Sequence, residues 1–256
     1  FGMLLYLKDT GSSYYNWAYD DVSRKRTCYK YGANLMDQYL KECMPYPTRQ
    51  FLEAYNPDKY RNPCNTVDTL VFTKTGDCDV RRVLLIKRGN HPSIGMWACP
   101  GGFVEFKENL YDAALRELRE ETGLHDLQAE QLRSYGDYDR DPRTRIITTA
   151  FVALIEEGSQ RAEAGDDAKE AGWFSVADER VSREERAEGI REEYILKLFC
   201  DEKGVTINAR VEVTERNGVL KNRTYRVVDG DGLAADHAAI VLEGYHHVKE
   251  ALGHGK

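Results

Sequence analysis

The spacing of apolar and polar residues changes several times along the chain, and each change marks an element. From Asn65 onward, "TVDTLVFTK" and "RRVLLIKR" are short β-branched runs. The Gly and Asp of "TGDCDV" between them suit a turn, so two neighbouring strands are expected. Around Ala114, Leu115 and Leu118 the period becomes helical. "LQAEQLRSYGD" and "RTRIITTAFVALIEE" return to strand character, the second as a buried run, and "KEAGWFSV" ends this β-rich section.

Beyond residue 178 the pattern shifts again. "SREE" at Ser182–Glu185 fits a capping box, and Ala187, Ile190, Tyr194 and Leu198 follow at helical spacing, which predicts a capped amphipathic helix. Val205, Ile207, Ala209, Val211 and Val213 alternate with polar residues. Asn217-Gly218 suits a type I′ turn, and a return strand through Tyr225–Val228 would complete a hairpin. A last helix is expected at about 235–252, with Val241, Tyr245, Val248 and Leu252 on one side.

Residues 1 to 62 differ from the rest: Tyr6, Tyr14, Tyr15, Trp17, Tyr19, Tyr29, Tyr31 and Tyr39 lie close together. Leu35, Met36, Tyr39 and Leu40 predict a helix over Gly32–Cys43, "MPYP" breaks it, and "TRQFLEAY" suggests a second short helix. The organisation expected is therefore an aromatic-rich extension (1–62), a main domain (63–177), an inserted helix and hairpin (178–231) and a closing helix (232–256).

Composition narrows the functional classes. A net charge of -7 argues against a sequence-independent nucleic-acid surface, which needs clustered Lys and Arg. No apolar run approaches the roughly 18–20 residues of a membrane span, and no signal-peptide pattern opens the chain, so no membrane partner is expected. Cys28, Cys43, Cys64, Cys78, Cys99 and Cys200 are scattered singly without a C-x-x-C pair, as expected of reduced thiols in a cytoplasmic protein.

The helix around Leu118 carries an electrostatic conflict. Glu117, Glu120 and Glu121 are three and four residues apart and share one face. They repel one another, and the negative end of the helix dipole adds about 0.3–1 kcal/mol in the same direction. Such crowding implies a bound cation, for which carboxylate oxygens are hard ligands.

Gly102, Glu108 and the run Arg116-Glu117-Leu118-Arg119-Glu120-Glu121-Thr122-Gly123-Leu124 match every fixed position of the Nudix box. With "GMWACPGGFVE" before the box, the region from about Asn65 to Phe174 resembles a whole Nudix domain. The resemblance implies an α/β class fold, the Nudix α/β/α sandwich around a mixed sheet. It also implies that Glu117, Glu120 and Glu121 bind magnesium, or alternatively manganese, with Arg116 holding a helix carboxylate and Glu108 reaching either the metal or Arg116. The reaction implied is hydrolysis of a nucleoside diphosphate-linked small molecule. The general base would come from the box or from a later carboxylate, with Asp166, Asp167 and Glu170 of "AGDDAKEAGWF" as candidates.

"YDRDPRTRIITTAFVAL", "GDDAKEAGWF" and "GLAADHAAIVLEG" further resemble the ADP-ribose pyrophosphatase branch, although the closing helix comes later than usual. Arg140, Arg143 and Arg145 then become candidate diphosphate ligands through bidentate contacts, with solvated arginines at the Asp141-Pro142 turn as the other reading. Rival substrates are NADH, a nucleotide sugar or an oxidised nucleoside triphosphate. An ADP-ribose-sensing transcription regulator is a rival of another class, disfavoured by the complete box and the acidic balance. A homodimer is expected by resemblance alone.

Overall fold

A computed structural model of the chain describes residues 4–9, 14–20, 25–30, 54–76, 79–165, 168–217 and 222–253. It divides into two units, Phe1–Asn62 and Pro63–Lys256. In the first, β1 (Leu4–Asp9), β2 (Tyr14–Asp20) and β3 (Lys25–Lys30) form an antiparallel sheet in that order. The helix expected over Gly32–Cys43, and most of the one expected in "TRQFLEAY", lie outside the described residues.

The second unit runs β4 (Cys64–Thr75), β5 (Asp79–Arg88), β6 (Trp97–Ala98), β7 (Gly101–Phe103), α1 (Leu110–Thr122), β8 (Glu130–Tyr135) and β9 (Ile146–Glu156). It continues through β10 (Ala168–Arg186), β11 (Gly189–Cys200), β12 (Val205–Arg216), β13 (Asn222–Asp229) and α2 (His237–Gly253). The strands make one 10-stranded sheet in the order β13-β12-β11-β10-β5-β4-β9-β8, with β6 added to β5 and β7 to β4. The sheet is mixed, because β4 pairs parallel with β9 and antiparallel with β5.

Alternation along β4 sorts the core into two layers. Leu70 and Phe72 face Ala238, Ile240 and Val241 of α2. Val71 meets Leu118 of α1, and Val67 meets Ala113 and Ala114. The two helices thus cover opposite faces of the sheet, which is the expected α/β/α sandwich.

Residues 182–200 correct one expectation. Instead of a capped helix, β10 continues to Arg186, and β11 returns antiparallel beside it, with Arg186 opposite Gly189. The helical reading fails because a spacing of four residues also fits a strand: Tyr194, Leu196, Leu198 and Cys200 alternate inward, with Leu196, Leu198 and Cys200 buried. The β12–β13 hairpin forms as expected, but its register pairs Arg216 with Asn222. Five residues therefore lie between the paired positions, more than the two-residue type I′ loop expected at Asn217-Gly218.

These strands curl around α2. Arg133 of β8, one end strand of the sheet, donates from Nη1 to the backbone oxygen of Arg223 on β13, the other end strand, at 3.0 Å. The same Nη1 reaches Glu243 of α2 at 2.9 Å. Nine residues of α2 are buried, including the unbroken run His237–Leu242, as expected of a helix enclosed on more than one side.

Asp178 of β10 helps to fasten α2, lying 3.1 Å from His246 Nε2 and 2.9 Å from Lys249 Nζ. Tyr225 of β13 contacts His246 Nδ1 at 3.2 Å. The His246 bond, aided by Lys249 against the opposing effect of burial, holds the Asp178 carboxyl well below the ordinary aspartate range. A depressed folded-state pKa contributes stability above the unfolded value of about 3.9, and that stability is lost as pH falls through the folded value. Asp178→Asn should therefore cost about 1–3 kcal/mol at neutral pH, with the deficit shrinking below about pH 4. Melting curves of both proteins between pH 7 and pH 2 check this, and a deficit independent of pH refutes it.

Candidate active site

Helix α1 opens at Asn109, which has extended backbone, and its first turn closes through Ala113 N–H to Asn109 O at 3.0 Å. It ends at Gly123, whose φ of 73° is a left-handed conformation that favours glycine, and whose N–H donates to Arg119 O. Ala113, Ala114 and Leu118 bury the inner face, whereas Leu115, expected among them, is only half-buried.

Arg116 joins the acidic groups around it. Its Nε and Nη2 each lie 2.8 Å from an oxygen of Glu108, a bidentate pair. Nη1 donates to Glu117 Oε1 at 2.8 Å and to Glu120 Oε2 at 3.0 Å, and Nη2 also reaches Phe103 O at 3.1 Å. Hydrogen bonding to Arg116 lowers the Glu108 pKa, while burial raises that of Glu117. The repulsion that the sequence implies within the acidic face is thus partly offset by the arginine.

Glu121 differs. It is 6% exposed, and its Oε2 accepts from Gly101 N–H at 2.8 Å. Burial, reinforced by nearby Glu117 and Asp68, pushes its pKa up to about 8. Strand β7 approaches this face so closely that only glycine fits. A Cβ on Gly102 would stand 2.5 Å from Glu117 Cδ, and one on Gly101 would stand 2.1 Å from Val67 O. Asp68, buried on β4, accepts from Thr148 Oγ1 at 2.6 Å.

Glu121 and Asp68 line a cleft together with Arg88, Phe103, Arg140 and Arg143. Both later arginines are held by carboxylates. Arg140, with its side chain 7% exposed, forks onto Asp236 through Nε and Nη2 at 2.8 Å each, and Asp236 precedes α2. Arg143 forks onto Asp141 through Nε at 3.0 Å and Nη2 at 2.9 Å. His237, also at the start of α2, accepts from Cys99 N–H through Nδ1 at 3.1 Å.

The structure brings Glu117, Glu120, Glu121, Arg116 and Glu108 together on and beside α1, and of these Glu121 alone is among the residues that line the cleft with Arg140 and Arg143. Arg145 is exposed, and neither it nor Glu170 is among the residues lining the cleft. Glu170 instead pairs with Lys87 at 2.9 Å and Lys203 at 3.5 Å, and the Lys87 bond lowers its pKa. Asp166 and Asp167 lie outside the described residues. Sequence reasoning did not single out Asp68, Asp236 or His237. An acid inside the otherwise apolar "TVDTLVF" was the available signal for Asp68.

Among the described residues, no three His, Cys, Asp or Glu side chains already converge as a metal site. The donor set nonetheless suits a hard divalent cation. The bonds above engage one oxygen each of Glu117, Glu120 and Glu121, and these three carboxylates would hold the cation. Glu121 is a buried carboxylate bonded to a neutral amide rather than to a cationic side chain, a group that a metal would stabilise.

A model of the NUDIX domain matches residues 64–198. The chain is 40% identical to an ADP-ribose pyrophosphatase of Methanocaldococcus jannaschii over 132 residues, 50% of this chain and 73% of that protein. It is 33% identical over 150 residues to the ADPR responsive transcriptional repressor NtrR of Acinetobacter baylyi, 58% of this chain but only 52% of the repressor. Among solved structures, a MutT/nudix family protein from Enterococcus faecalis superposes with a TM-score of 0.57 at 29% identity, covering 86% of this chain and 75% of that one.

Proposed function

The chain belongs to the Nudix family, and from that premise we propose that it hydrolyses the pyrophosphate bond of ADP-ribose to give AMP and ribose 5-phosphate, with magnesium as cofactor. The observation that carries the proposal is the buried Glu121 in the lining of a cleft that Arg140 and Arg143 also line. The 40% identity to an ADP-ribose pyrophosphatase supports the choice of substrate.

Glu117, Glu120 and Glu121 would hold the metal, magnesium in preference to manganese. Bound there, it supplies charge neutralisation at the phosphate oxygens and a lowered pKa for the attacking water. Arg116 keeps Glu117 and Glu120 in register on the helix. Glycines at positions 101 and 102 leave β7 close enough to fix Glu121 through a backbone N–H. Arg140 and Arg143 bring guanidinium groups to the same cleft, and with two donors of each engaged by a carboxylate the remaining donors suit a diphosphate.

For the general base we favour Asp167 over Glu170, whose ion pairs with Lys87 and Lys203 make it a weaker proton acceptor. The segment that leads to Asp167 runs beside the helix end, with Gly165 N–H donating to Glu121 O at 3.0 Å. A homodimer acting in the cytoplasm completes the proposal.

Purified protein with magnesium should turn over ADP-ribose faster than NADH, nucleotide sugars or nucleoside triphosphates in a side-by-side panel. Faster cleavage of a triphosphate overturns the substrate, and no hydrolysis together with specific DNA binding would favour the regulator.

A further inference from the structure

Phe103 is an apolar ring left 47% exposed on the wall of a polar cleft. An exposed ring is ordinary in itself, but this one lines the cleft, where its π system can meet a flat ligand. Arg143 lies over it, with the guanidinium carbon 5.4 Å from the ring centroid. That guanidinium is fixed in orientation, because its Nε and Nη2 fork onto Asp141, which also accepts from the Arg143 backbone N–H at 2.9 Å. The fork engages two of the five guanidinium donors and fixes the plane, so a flat group can stack on its face.

We propose that Phe103 and Arg143 form a stacking platform for the nucleobase of the substrate, so that they select a nucleoside diphosphate over a diphosphate without a base. The inference rests on the hydrolase reading above and adds the base-recognising surface to it. It also gives Arg143 a different task from the diphosphate fork that its sequence context suggests.

The placement along β7 is consistent with this. Gly101 fixes Glu121, and Phe103 follows two residues later, roughly 7 Å along an extended strand. A sugar separates a nucleobase from its first phosphate on the same scale. The strand's end is fixed from behind by Arg116, whose Nη2 bonds Phe103 O, so the ring is borne by a held backbone. Every base has a π face, and stacking on an aromatic side chain is worth about 1–3 kcal/mol, equivalent to roughly 5- to 150-fold in affinity.

The test compares Phe103→Ala and Phe103→Trp with the unmodified protein in two assays. Steady-state kinetics with ADP-ribose should show KM raised about 5- to 100-fold in Phe103→Ala, with kcat within about twofold, and a return toward the original KM in Phe103→Trp. Calorimetric titration with AMP and with ribose 5-phosphate, which needs no turnover, should show only AMP binding weakened in Phe103→Ala. Equal AMP affinity in Phe103→Ala and the unmodified protein overturns the platform. So does a fall in kcat at constant KM, or equal weakening of AMP and ribose 5-phosphate, either of which assigns Phe103 a merely structural part. If the unmodified protein fails to hydrolyse ADP-ribose, the hydrolase reading falls, while the AMP titration still decides for or against the platform.

Discussion

Glu121→Gln should lower turnover of ADP-ribose by at least about a hundredfold, in line with the 10²–10³ commonly lost when a charge-stabilising group is removed. The substitution keeps the shape of the side chain and an oxygen for the Gly101 N–H, so the 2.8 Å bond at this position can persist. What it removes is the ability of a group that is 6% exposed to ionise and meet a cation with a full negative charge. Without metal the variant should melt no lower than the original at neutral pH, because burial already favours the protonated form of Glu121 there and glutamine replaces one neutral group by another. Magnesium should raise the melting temperature of the original protein and should have much less effect on the variant. Near-normal turnover with an intact magnesium response would remove Glu121 from the proposed metal site.

Gly101→Ala should act on both stability and turnover. The added Cβ would stand 2.1 Å from Val67 O and 2.9 Å from Asp68 Cα, both backbone atoms of β4. That strand lies between β5 and β9 inside the sheet and has little freedom to withdraw, so β7 must move instead. Overpacking of this kind costs about 1–3 kcal/mol, or roughly 2–12 °C in melting temperature for a unit of this size. A shift of β7 by about an ångström carries the Glu121 partner with it and should cost on the order of a hundredfold in turnover. Gly136→Ala is the control, since its Cβ would meet nothing nearer than 3.8 Å. Equal melting temperatures and rates for the two variants would show that the close approach of β7 to β4 is not required.

Much of this arrangement was legible in the sequence, for reasons that differ by element. The helix with Glu117, Glu120 and Glu121 could be read because side-chain spacing, a terminal glycine and a fixed motif all lie within one short stretch. Strands β4, β5, β9 and β12 could be read from β-branched runs or alternation. Residues 182–200 could not, because Ile190, Tyr194 and Leu198 satisfy a helical and a strand period at once, and "SREE" imitates a cap. The pairing of β11 with β12 along its whole length settles that ambiguity, and such pairing is not a local property.

The same distinction governs the site. Arg140 and Arg143 stood out as free guanidinium groups beside a turn, but their partners change what they can do. Asp236 is 96 residues from Arg140, so no local pattern could show that its fork was already engaged. Asp141 is only two residues from Arg143, so that fork is a local feature. Glu170 looked available in sequence because Lys87 reaches it from a different strand. Asp68 takes its place near Glu121 only through the pairing of β4 with β7, opposite Gly101.

The enclosure of α2 by the curled strands has a bearing on synthesis, because the enclosed helix is the last of the described elements to be made. A nascent chain that has completed all its strands still presents an uncovered trough lined by Leu70, Phe72, Leu196 and Val211. Until His237–Val248 leaves the ribosome, that concave surface is open to other chains, so the completed strands pass through an aggregation-prone state before this helix covers them.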